Sequence, residues 1–248
     1  MNQEPTVRLH LFFARDTDRA VILRQGPSKQ FRMILWHRDT DTFEDGQWIK
    51  QKIYTERCDL SPDGEHFVYF TLDGKWKPPS HGTYTVISKP PYWTALALFP
   101  LGDTWSGGGT FLDARHYFAD GGSDIIKRTS GIHRVFLGKP DKGFSTGLRL
   151  ETGGRAPLDR AATKRLLADP APSGPAELRD RMPIPRDPEV DKYLTKEGKL
   201  FRYQNETLEL IRDFTDMSFE PIRAPYDRRE DAVTGEAQPW HPLEGENR

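Results

Sequence analysis

Four side chains of the types that bind divalent metals fall close together: Asp113, His116 and Asp120, with His133 nearby. Imidazole and carboxylate in this density could hold a metal and serve a metal-dependent hydrolase. No helix sets an i, i+3 or i+4 register among them, so the plainer reading is surface residues in a loop. The run Trp105-Ser106-Gly107-Gly108-Gly109-Thr110 invites a phosphate-loop reading. That chemistry needs Gly-Lys-Ser/Thr opening a helix. Here Thr110-Phe111-Leu112 follows and reads as a strand, so a tight turn or bulge is the expectation. Asp39-Thr40-Asp41-Thr42-Phe43-Glu44-Asp45-Gly46 has the acidic look of a calcium loop. Phe43 and Glu44 occupy its fifth and sixth places, and no Glu stands at the twelfth, so an acidic hairpin end fits better.

Nucleophilic chemistry has less to draw on. No Gly-x-Ser-x-Gly elbow is present. The one cysteine, Cys58, stands between Arg57 and Asp59 with no evident base and reads as a structural thiol. A single cysteine also excludes an intramolecular disulfide. The sequence identifies no catalytic residue, and no cofactor is expected. Asn205-Glu206-Thr207 matches a glycosylation sequon, which has no use in a cytoplasmic chain.

Five of the six tryptophans, Trp36, Trp48, Trp76, Trp93 and Trp105, lie in the first half of the chain. Trp76 adjoins Pro78-Pro79 and Trp93 follows Pro90-Pro91, which predicts that these two are exposed. Trp76, Trp93 and Trp105 are therefore the candidate binding residues, an aromatic surface for a peptide, a sugar or a stacked base. The competing reading has tryptophan filling space between sheets and pinning proline turns.

These residues need elements to carry them. From Val7 to about Leu150 short apolar runs recur between Asp, Gly, Pro and Ser, which predicts strand after strand. Arg8 to Phe13, Ala20 to Arg24, Arg32 to Trp36, Trp48 to Tyr54, Tyr84 to Ser88, Thr94 to Phe99, Arg134 to Leu137 and Leu148 to Leu150 are the candidates. Phe67-Val68-Tyr69-Phe70 places large apolar groups on both faces, as a strand covered on both sides requires. Ahead of it, Ser61-Pro62-Asp63-Gly64 forms a turn: proline has the φ of the second position, and glycine tolerates the positive φ that closes it.

Ser61-Pro62-Asp63-Gly64 followed by Phe67 to Phe70 resembles the turn-and-strand unit of TolB-type and WD40-like propeller blades. It covers about a dozen residues, with a weaker echo at Glu197-Gly198-Lys199-Leu200-Phe201. The resemblance implies a small or degenerate β-propeller-like body built on repeats of about 40 residues. It carries no catalytic residues. No second Ser-Pro-Asp-Gly occurs, and a two-sheet β-sandwich is the alternative.

Residues 1–152 thus form a β-rich domain. Residues 153–190 supply one short helix, Leu158 to Leu167, with Leu158, Ala162 and Leu166 on one stripe, and then an extended linker or strap. Six of the 20 prolines fall within Asp169 to Pro188, hence the extended conformation. Residues 191–226 read as a hairpin turning at Gln204-Asn205-Glu206, or a strand followed by a helix, with a further strand at Ser218 to Ile222. Residues 227–248 read as a mobile tail.

The totals bound what remains. With 36 Lys and Arg against 37 Asp and Glu, a nucleic-acid partner drawn by bulk charge is not expected. No segment approaches the ~18 apolar residues of a membrane span. The start carries no basic region followed by a long apolar stretch, so a cytoplasmic setting is expected. The leading expectation is a non-enzymatic, mainly-β module that engages a protein partner through its loops. The alternatives are the metal-dependent hydrolase and a single-stranded nucleic-acid or carbohydrate binder.

Overall fold

The computed structural model describes residues 7–137, 148–150 and 190–227. The protein is mainly β and consists of four sheets that share no strands among the described residues. The first is a meander of β1 (Arg8–Phe13), β2 (Arg19–Gln25), β3 (Gln30–His37) and β4 (Thr42–Lys50). The second contains β5 (Lys52–Ile53), β6 (Asp59–Leu60), β7 (Phe67–Leu72), β8 (Thr83–Ser88) and β9 (Ala95–Pro100). There β5 and β6 both pair with β7, and β8 and β9 follow in order. The third holds β10 (Gly109–Phe111), β11 (His116–Ala119), β12 (His133–Leu137) and β13 (Leu148–Leu150), with β11 and β12 parallel. The fourth is β14 (Tyr193–Lys196), β15 (Lys199–Gln204) and β16 (Thr207–Asp213).

Period-two alternation explains how these sheets pack. On β7, Phe67 and Tyr69 point into one core cluster while Val68 points into another. The first cluster joins Val21, Leu23, Phe31, Met33 and Ile49 of the first sheet to Phe67, Tyr69, Tyr84, Val86 and Leu98 of the second. The second joins Val68, Ile87, Ala97 and Phe99 to Phe111, Tyr117 and Ala119 of the third. On the far side of the first sheet, Leu9, Ile22, Ile34 and Trp36 meet Leu200 and Phe214 of the fourth. The sheets therefore stack face to face in the order fourth, first, second, third. Four stacked sheets replace the two-sheet sandwich, because β2, β3, β7 and β8 each bury apolar side chains on both faces.

The Ser61 turn forms as its residues predict. Gly64 has φ +73 and donates its N–H to Ser61 O at 2.9 Å, and Asp63 Oδ1 accepts from Ser61 Oγ at 2.5 Å. Asn205 and Glu206, with φ of 51 and 61, make the tight β15–β16 hairpin that settles the second arm as a strand rather than a helix. The Trp48 to Tyr54 strand is corrected. It breaks at Gln51, where the chain passes from the first sheet to the second, and the Gln51 carboxamide accepts from Thr71 Oγ1 at 2.9 Å and Tyr84 Oη at 3.1 Å. Ser218 to Ile222 is not a strand. It is an extended strap across the first sheet, held by Arg32 on Glu220 and by Gln47 Nε2 on Ile222 O at 2.8 Å. The expected helix at Leu158 to Leu167, the Pro-rich segment from Asp169 to Pro188 and the tail beyond Asp227 lie outside the described residues.

Among the described residues no helix is long and apolar enough to cross a membrane.

Candidate functional site

Antiparallel pairing brings two loops to one end of the second sheet. Leu72, Thr83 and Pro100 mark that end, so the β7–β8 and β9–β10 connections emerge side by side. The first connection presents Trp76 and the second presents Trp105. Trp76 is 56% exposed and Trp105 is 91% exposed, the most open large apolar side chain described.

The loop carrying Trp105 is pinned on every side. Asp103 Oδ1 accepts from Trp105 N at 2.9 Å, Ser106 N at 3.1 Å and Ser106 Oγ at 3.0 Å. These donors favour the ionised form, so the Ser106 N–H above all draws the Asp103 carboxyl below its usual range. Arg57 Nη1 donates to Thr104 O at 3.0 Å and Ser106 O at 2.5 Å, while its guanidinium lies over the Tyr54 and Phe70 rings. Thr83 Oγ1 donates to Asp103 O at 2.6 Å and accepts from Gly102 N at 3.1 Å.

The glycine run then dives under the loop. A Cβ on Gly107, at φ +101, would lie 2.3 Å from the Phe70 ring, and one on Gly108 would lie 2.6 Å from Arg57 O. Gly107 N donates to Asp120 Oδ2 at 3.0 Å and Gly108 N to Thr85 Oγ1 at 2.9 Å. Both amides already have acceptors, so this is the tight turn foreseen and not a phosphate cradle.

Trp76 is positioned more simply. Its ring lies against Gly82, where an added Cβ would sit 2.6 Å away. The loop is closed by Asp73 N on Gly82 O at 3.0 Å and by Lys75 N on Asp73 Oδ1 at 2.7 Å. Lys52 Nζ stands 4.3 Å from the centre of the Tyr54 ring. The end thus offers two open indoles edged by exposed Lys52, Lys75, Lys77 and His81.

Trp93 does not belong to it. It is 2% exposed and lies at the opposite end of the sheet, its ring edge-on to Tyr69 at 4.9 Å. The cause is Gln47, whose Oε1 accepts from Trp93 N at 2.8 Å and Thr94 N at 3.0 Å and draws the loop inward.

The metal-type residues divide in two. Asp113 and His116 meet, with Nδ1 2.9 Å from both carboxylate oxygens, and the His133 ring lies 5.7 Å from that of His116. Asp120 is at the other end of β11, occupied with Gly107 N and Gly121 N. Among the described residues no three His, Cys, Asp or Glu side chains are grouped to hold a metal, so the four-residue centre is not assembled. Asp113 instead closes the β10–β11 turn, accepting from Arg115 N and His116 N. The acidic stretch has another use as well: Asp41 pairs with Arg202 and Asp45 with Arg212, clamping the fourth sheet onto the first. Cys58 is buried, with Sγ 3.3 Å from Tyr54 O, as a structural thiol would be.

Arg57 and Asp103 were not singled out from sequence. Asp103-Thr104-Trp105-Ser106 does carry a signal, an Asp whose carboxylate can accept from amides two and three residues on. Arg57 has none, because its partners lie 47 and 49 residues away.

No protein-family model matches the chain. No curated protein and no solved structure matches it either.

Proposed function

We propose that the protein is a non-enzymatic β module that binds a protein partner through the Trp76–Trp105 end of its second sheet. The observation that carries the reading is the 91% exposure of Trp105 on a loop whose polar groups are already bonded within the molecule. Because the loop backbone is already fixed, binding has only the indole's own rotamers to order, and tryptophan is among the residue types most enriched at energetic centres of interfaces. Exposed Lys52, Lys75 and Lys77 around it favour a partner surface with acidic groups beside an apolar pocket. Successive sheets packed face to face support a propeller-like body, the architecture implied by the Ser61 unit. We take the setting to be a reducing, cytoplasmic one, in which the buried Cys58 thiol stays free.

The test compares wild type with Trp76→Ala/Trp105→Ala in affinity capture from the source cell. A stoichiometric protein retained by wild type and lost by the variant, at unchanged near-UV circular dichroism, supports the reading. Capture indifferent to the substitution overturns it. Tryptophan quenching by oligonucleotides or glycans, absent in the variant, would assign the surface to those ligands instead.

A further inference from the structure

The four metal-type residues do not converge, but two of them stand together. In the parallel pairing of β11 with β12, His116 lies directly opposite His133, and Tyr117 opposite Arg134. Tyr117 belongs to a core cluster and the Arg134 guanidinium lies over Phe99 of the same cluster. The alternate positions, His116 and His133, therefore share the other face of the sheet. Their ring centres are 5.7 Å apart, with planes 32° from one another. The two imidazoles differ in freedom. His116 is buried, and its Nδ1 lies 2.9 Å from both carboxylate oxygens of Asp113. An ionised carboxylate only accepts, so Nδ1 carries the proton and the Nε2 lone pair is left for a ligand. His133 is exposed, and its ring is free to turn toward that lone pair.

We propose that His116 and His133 form an open two-imidazole site for Zn2+, with water in the remaining positions and Asp113 orienting His116. Spacing is the first support. A metal about 2.0–2.1 Å from one nitrogen of each ring, at a tetrahedral or slightly wider angle, sets the ring centres roughly 5–6 Å apart. A square-planar ion with the two rings at right angles, the preference of Cu2+, would bring the centres to roughly 4.5 Å. The observed separation fits the tetrahedral ion. The second support is the Asp113–His116 contact, because a carboxylate on the far nitrogen fixes the tautomer of a ligating histidine and makes it a better ligand. Topology is the third. β11 and β12 are connected through residues 120–132 yet share only two register pairs. An ion bridging the first of those pairs clips a short ladder at the end of a long loop. Nothing in this site depends on the Trp76–Trp105 surface.

Calorimetric titration of the chelator-treated full chain with Zn2+ tests the site. Wild type should bind one equivalent. His133→Ala removes an exposed ring, so near-UV circular dichroism should stay unchanged while zinc affinity falls at least tenfold. Asp113→Asn keeps both ligands and removes the orienting charge, and should weaken binding about tenfold. With Co2+ in place of Zn2+, wild type should show the intense visible absorption of a tetrahedral complex and His133→Ala should lose it. Excess Zn2+ should also raise the Tm of wild type and leave that of His133→Ala where it was. Wild type that binds no zinc, or binding that His133→Ala leaves intact, overturns the proposal. A weak octahedral Co2+ spectrum overturns the tetrahedral assignment, and binding without a rise in Tm overturns the bridge between β11 and β12.

Discussion

The two ends of the second sheet are built from similar words and come out opposite. At one end Trp76 precedes Pro78-Pro79 and stays open; at the other Trp93 follows Pro90-Pro91 and is buried. Local sequence does not separate them. The difference is made by Gln47 and Gly46, far off in the chain. Gln47 Oε1 takes the N–H groups of Trp93 and Thr94, and Gly46 lets Pro91 approach so closely that a Cβ there would lie 1.9 Å from Pro91 O. At the Trp105 end the corresponding ties, from Arg57, Asp103 and Thr83, run to the loop's backbone and leave the indole outside. Whether a loop's hydrogen bonds draw its aromatic inward or hold it outward decides between core and exposed surface.

The sharpest way to break this contrast is Trp93→Ala. Removing a buried indole leaves a cavity and should cost about 3–5 kcal/mol in urea unfolding. A loss below about 1 kcal/mol would mean that the Trp93 loop is not part of the core.

Protonation sharpens the comparison with a smaller effect. The buried end also holds His66, whose pKa burial lowers against the opposing influence of Asp63 and Glu65, with Lys89 adding to the lowering. A depressed pKa means that the neutral ring's contribution is complete above the ordinary histidine value of about 6.5. As the pH falls below that, the unfolded chain takes up the proton first and stability is lost, until the pH passes through the folded value. His66→Gln should flatten this part of the stability–pH curve; a curve identical to wild type would place the ring in water.

Much of the frame was legible in the sequence, because alternation and turn chemistry are local. Phe67 to Phe70 announced a strand covered on both faces, Ser61 to Gly64 carried the residues that its turn demands, and Asn205 suits the β15–β16 turn although Glu206 takes a φ of 61 beside it. What escaped was nonlocal. The parallel pairing that sets His116 beside His133 joins strands separated by a long loop, and the same loop geometry leaves Asp120 at the wrong end of β11 for a metal centre. Asp41 and Asp45 gave no hint of Arg202 and Arg212, roughly 160 residues on, so acids that looked like a calcium loop serve as clamps. Of the two tryptophans expected to be exposed beside proline pairs, Trp76 is open and Trp93 is buried, while nothing in the sequence foretold the openness of Trp105.

The smallest effect on stability is the most informative. Trp105→Ala should change the free energy of unfolding by no more than about 0.5 kcal/mol, the range of substitutions away from packed features. Its indole ring is open to water, and the hydrogen bonds that shape the loop run through the Trp105 N–H and neighbouring backbone, which alanine retains. A side chain without stabilising contacts is available for the binding proposed above. A loss of 2 kcal/mol or more on this substitution would show the ring packed after all. The two ends of the sheet would then be alike, and the reading of Trp105 as a binding residue would lose its ground.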